Sequence, residues 1–125
     1  MVAGIIICHG QLAGELLNAA EKILGKEDQV YAFSNHDISS KTLYLNVREV
    51  VTAHQLRRIV VMVDLRGGSC WTAGRVLARD FPDIKVLSGV NIPMLLSFLT
   101  KRNRLNYEEL VEAMVEDTHR GIGCD

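Results

Sequence analysis

The chain predicts an α/β fold: an open, mainly parallel four-stranded sheet with helices on both faces, and a C-terminal tail available as an extra edge strand. Three observations point there. Unbroken apolar runs at residues 5–8 and 59–63 read as strands buried on both faces, the condition of central strands in parallel sheets. Each strand run is followed by apolar residues at helical spacing. The order strand–helix, repeated four times and closed by a last helix, is that of βαβ units, whose right-handed crossovers restrict the topology. With 125 residues and no linker, repeat or low-complexity tract, residues 1–125 read as one domain.

The first run, Ile5-Ile6-Ile7-Cys8, is β-branched at three positions and stops at His9-Gly10. Gly10 allows a sharp backbone turn. Leu12, Ala13, Leu16, Leu17, Ala20, Ile23 and Leu24 then recur as one buried helical face, and Gly25 closes that helix. Residues 30–33 form a second, short strand. Asp37, Ser39 and Ser40 are all able to cap the next helix, whose apolar face is marked by Leu43, Val47, Val50, Val51 and His54. The third strand, residues 59–63, runs into Asp64 and the glycine-rich turn Leu65-Arg66-Gly67-Gly68-Ser69. Ala73, Val76, Leu77 and Phe81 mark the following helix, which Pro82 ends. Residues 84–87 make the fourth strand, followed by Ser88-Gly89. Asn91 precedes an apolar helix in which Pro93 suits the first turn. Asn106 and Glu109 have the spacing of a capping box, with Leu110, Val111, Met114 and Val115 behind them.

Composition narrows the class. Apolar residues at 48% and charged residues at 23% place the chain among globular proteins rather than disordered ones. A net charge of -1 leaves no basic excess, so no nucleic-acid partner is expected. No stretch approaches the ~18 consecutive apolar residues of a membrane span. The first apolar run lacks a basic region before it and does not read as a signal peptide. Three irregularly spaced cysteines (Cys8, Cys70, Cys124) suit a reducing compartment, and the cytoplasm is expected.

Ligands in open α/β sheets bind beyond the carboxyl ends of the strands. Those ends deliver His9, then Asp64, then Ser88 with Asn91. If the first and third strands are neighbours, a carboxylate holding one imidazole nitrogen fixes the tautomer and orients the ring. The other nitrogen is then a base, a metal ligand or a nucleophile towards phosphorus. Gly67-Gly68-Ser69 at a helix start offers free amides and the positive end of the helix dipole, a nest that suits a phosphoryl group. Ser69 fits an N-cap equally well, Asp64 a turn cap, and Arg66 a solvated charge. His54 reads as structural. Cys70 beside His9 and Asp64 raises a metal site, but alternation points Cys8 to the opposite face and no CxxC or HxxxH spacing occurs, so no metal is expected. P-loop, GxSxG and GxGxxG motifs are absent.

Cys8-His9-Gly10, Val63-Asp64-Leu65-Arg66-Gly67-Gly68-Ser69 and Ser88-Gly89-Val90-Asn91-Ile92-Pro93-Met94-Leu95 together resemble the signatures of one family. It is the mannose-type IIA component of the bacterial phosphoenolpyruvate-dependent sugar phosphotransferase system, and the resemblance runs in order from Val2 to about Gly121. It implies a phosphocarrier in which His9 takes a phosphoryl group from the carrier protein HPr and passes it to a IIB partner on a separate chain. Asp64 would hold Nδ1 of His9. Ser69 and the amides around Leu65, Gly67 and Gly68 would bind the phosphoryl oxygens. Gly10, Arg66, Ser88 and Asn91 would form the rim. No cofactor is implied, the membrane is met only through the transporter complex, and a homodimer with an exchanged C-terminal strand is the family habit. Cys8, Gln11, Arg66 and Cys70 depart from the usual residues. Two other functions fit the same residues: a non-catalytic module holding a small phosphorylated ligand, and a metal-dependent hydrolase using His9, Asp64 and Cys70.

Overall fold

A computed structural model describes residues 1–125. Its elements in order are β1 (Ala3–Cys8), α1 (Leu12–Leu24), β2 (Val30–Ser34), α2 (Ser40–Ala53), β3 (Ile59–Val63), α3 (Gly68–Asp80), β4 (Ile84–Ser88), α4 (Ile92–Lys101) and α5 (Tyr107–Arg120). The four strands pair in the order β2-β1-β3-β4, and every pairing is parallel. The chain therefore steps from β1 to one side, returns past it to β3, and continues to β4. The crevice where the direction of winding reverses lies between β1 and β3.

Strands β1 and β3 are buried along their whole lengths, as their unbroken apolar runs require. Pleating sends alternate side chains to opposite faces and so divides the core in two. On one side Ile6, Cys8, Val60 and Met62 meet α1, α4 and α5; on the other Ile5, Ile7, Val61 and Val63 meet α2 and α3. Cys8 and Cys70 accordingly belong to opposite halves, as alternation predicts. Gly4 sits where no larger residue fits: a Cβ there would lie 2.8 Å from the Phe98 ring. At the amino end of the sheet the buried Arg102 guanidinium reaches the carbonyls of Val2 at 3.1 Å and Asp28 at 2.6 Å, tying α4 to the starts of β1 and β2.

Caps follow the sequence closely. Ser39 accepts from the Thr42 amide, Asn91 from the Met94 amide, and Asn106 with Glu109 forms a full capping box. Three expectations change. Residues beyond Arg120 form no strand within this chain, and its sheet has four. His54 lies at the end of α2 rather than on its apolar face, exposed, with its ring 5.4 Å from that of Tyr31. On α1 only Ala13 and Ala20 are fully buried, whereas Leu12, Ile23 and Leu24 are exposed. Small residues let α1 lie close against the sheet, so its line of contact is narrower than its apolar stripe. No helix is long and apolar enough to cross a membrane.

Candidate functional site

The β1–β3 register places Ile7 opposite Val63, which brings the residues just beyond both strands out side by side at the switch point. His9 and Asp64 meet there. One carboxylate oxygen, Oδ2, accepts from both the His9 backbone amide at 3.0 Å and the His9 ring Nδ1 at 2.9 Å. The other, Oδ1, accepts from the Leu65 amide at 3.0 Å. Burial pushes the Asp64 carboxyl up, but the His9 amide, the His9 ring and the Leu65 amide together outweigh it and hold the group below the usual carboxylate range. Asp64 is thus an ionised acceptor at neutral pH, and an ionised acceptor keeps the proton on Nδ1. Nε2 makes no hydrogen bond within the chain, and the His9 side chain is 47% exposed against 13% for Asp64. The result is a fixed tautomer with its lone pair turned to solvent.

Two helices begin at this pair, and both lack a side-chain cap. The first is α1, entered through Gly10 at φ +58° and Gln11; the second is α3, entered through Gly67 and Gly68 at φ +89° and +80°. The other three helices are capped by Ser39, Asn91 and Asn106. Glycine is required at 67 and 68 because L side chains rarely adopt that left-handed backbone. The sequence of α3 therefore spends its cap position on a residue with no side chain. First-turn amides and the dipole are left for an external anion.

Ser69 is accordingly not the N-cap, which is Gly67. Its hydroxyl instead accepts from Asn35 Nδ2 at 3.0 Å. Asn35, at the carboxyl end of β2, was missed in the sequence. The rule that picked out His9 and Asp64 applies equally to the end of β2, and would have found it. Leu65 and Arg66 are exposed beside Asp64, and Gly10 is half-buried beside His9. Ser88 closes β4 next to Val63, and Asn91 is engaged in capping α4; neither hydrogen-bonds to His9, Asp64 or Ser69. They share the sheet edge with the pair rather than its contacts.

Cys70 Sγ lies 3.8 Å from His9 Nδ1, and donor atoms of His9, Asp64 and Cys70 all fall within 4.8 Å of one another. A cation would have to displace the proton that joins Nδ1 to Asp64. It would also have to deprotonate a thiol that burial and the Asp64 charge push up. Cys8 is pushed up further, to about 12, by burial and by the same charge. The residues form a histidine–carboxylate pair packed on a neutral thiol, which is a poor fit to a metal.

The family profile described as PTS system fructose IIA component (EIIA-man) matches residues 4–115. The PTS system sorbose-specific EIIA component of Klebsiella pneumoniae is 32% identical over 113 residues, covering 90% of this chain and 83% of that protein. The mannose-specific EIIAB component of Escherichia coli strain K12 is 29% identical over 124 residues, 97% of this chain but 38% of that longer protein. Among solved structures, the phosphotransferase system component EIIA from Streptococcus agalactiae superposes with a TM-score of 0.93 at 27% identity, over 99% of this chain and 97% of that one.

Proposed function

This chain belongs to the mannose family of IIA components of the sugar phosphotransferase system, and from that premise we propose that it is a cytoplasmic phosphocarrier that takes a phosphoryl group on His9 Nε2. The observation that carries the reading is the half-exposed imidazole whose Nδ1 is bound to Asp64 at 2.9 Å while Nε2 stays free. In the transfer, the Nε2 lone pair forms a bond to the phosphorus of phospho-HPr. The bond from phosphorus to the donor imidazole breaks, and its electron pair returns to the donor ring. No proton has to move on His9 for this, because the proton stays on Nδ1. Asp64 balances the positive charge that develops on the ring. The uncapped start of α3 and the Ser69 hydroxyl receive the phosphoryl oxygens. Positioning and electrostatics account for the catalysis of such a transfer. Reversal towards a IIB partner then hands the group on.

The open setting supports a protein donor over the alternative of a module that holds a small phosphorylated ligand. Five open clefts on the surface are lined by other residues, none of them His9, Asp64 or Ser69. Leu12 and Leu65, both exposed, flank the pair instead. Small-molecule sites enclose most of their ligand, whereas protein docking needs an accessible atom set among exposed apolar contact residues.

The test is incubation with phosphoenolpyruvate, enzyme I and HPr, followed by mass spectrometry under mildly basic conditions that preserve phosphohistidine. One acid-labile phosphoryl group is expected, and none on His9→Ala. No gain beside HPr that is itself phosphorylated would overturn the carrier reading in favour of a binding module.

A further inference from the structure

We propose that Asn35 is a positioning residue for phosphoryl transfer, acting through the Ser69 hydroxyl; this rests on the carrier reading above. Asn35 follows the last residue of β2, and its backbone amide donates to the Cys8 carbonyl at 3.4 Å, next to His9 in the chain. Its side-chain Nδ2 donates to Ser69 Oγ at 3.0 Å in a half-buried setting. One residue thereby joins the two segments that hold the nucleophile and the anion nest.

The chemistry follows from counting. A serine hydroxyl carries one proton and two lone pairs. With an N–H of Asn35 seated on one lone pair, the proton has to point away from Asn35. Ser69 becomes a directed donor rather than a free rotor. It is not drawn into capping the helix, because Gly67 occupies the cap position of α3. A phosphoryl oxygen arriving at the helix start meets a donor already aimed, and a preoriented donor needs no reorganisation during the transfer. The backbone bond to Cys8 survives any change of the Asn35 side chain, so a substitution there disturbs the direction of the hydroxyl without releasing the loop.

The phosphoenolpyruvate, enzyme I and HPr assay tests this when run with initial rates on the full chain. Asn35→Ala is expected to slow phosphorylation of His9 roughly five- to thirtyfold, the effect of one hydrogen bond that matters in the transition state. Asn35→Asp is isosteric and is expected to be slower still. Its carboxylate accepts the Ser69 proton, turning the donor away, and sets a negative charge beside the incoming anion. Combining Asn35→Ala with Ser69→Ala is expected to be no slower than Ser69→Ala alone, since Asn35 acts only through that hydroxyl. Thermal unfolding of each variant is expected to match wild type within a few degrees. Additive losses in the double variant, or an Asn35→Asp chain as fast as wild type, would overturn the role of Asn35 while leaving the carrier reading in place. A wild-type chain that takes no phosphoryl group overturns both.

Discussion

At His9 the deciding variable is which ring nitrogen holds the proton, and Asp64 decides it with two oxygens and three N–H donors. A carboxamide has one acceptor oxygen and one NH2 group, so in Asp64→Asn either the His9 side or the Leu65 side must face donor to donor. We expect that substitution to slow His9 phosphorylation about tenfold to a hundredfold with the fold intact. Initial rates of phosphohistidine formation measure it, and a wild-type rate would remove Asp64 from the mechanism. His9 and Asp64 were legible in the sequence because each is the first polar residue after an unbroken apolar strand, and strand ends are where sites form. The contact of Asn35 with Ser69 was not legible. It spans residues 34 apart and depends on a glycine taking the cap position that a serine would ordinarily fill.

At the scale of elements, apolar runs and capping residues fixed where strands and helices begin, because both are local. The Asn91 and Asn106 caps appear where the sequence placed them, and of the three candidates Asp37, Ser39 and Ser40 it is Ser39 that caps α2. Closeness of approach is not local, and it went unread. Nothing in the pattern of α1 said that Ala13 and Ala20 would be its only fully buried residues, with Leu16 and Leu17 packed beside them half-buried. Nor did the strand pattern say that Gly4 would face the ring of Phe98. That contact gives a prediction about packing. In Gly4→Ala the new methyl would lie 2.8 Å from an aromatic carbon that is itself fully buried, so ring or strand must shift. We expect a loss of about 1–3 kcal/mol, read as a lower urea midpoint with an unchanged slope. An unchanged midpoint would mean that α4 yields more easily than its packing implies.

For the molecule as a whole, the α/β class and parallel sheet followed from the order of the runs, whereas the strand order β2-β1-β3-β4 did not. Several right-handed arrangements satisfy the same alternation, and only packing of α1, α4 and α5 against α2 and α3 across the sheet selects among them. The two ends of that sheet do different work. His9 and Asp64 stand at the carboxyl end, while Arg102 braces the amino end through carbonyls of Val2 and Asp28. Removing the guanidinium in Arg102→Ala strands those buried acceptors. We expect about 2–4 kcal/mol of lost stability, a fall in Tm on the order of 10 °C, and an unaltered phosphorylation rate below the melting range. A rate that fell with the Tm would show that the brace also shapes the site. The pairing of β1 with β3 reaches further still. His9 and Asp64 are 55 positions apart, so a ribosome exposes the histidine well before its carboxylate has been made. The nascent chain cannot close β1 between its two neighbours until β3 has emerged, and parallel pairings of this span are late events in folding. A polypeptide released early carries the residue but not the reagent.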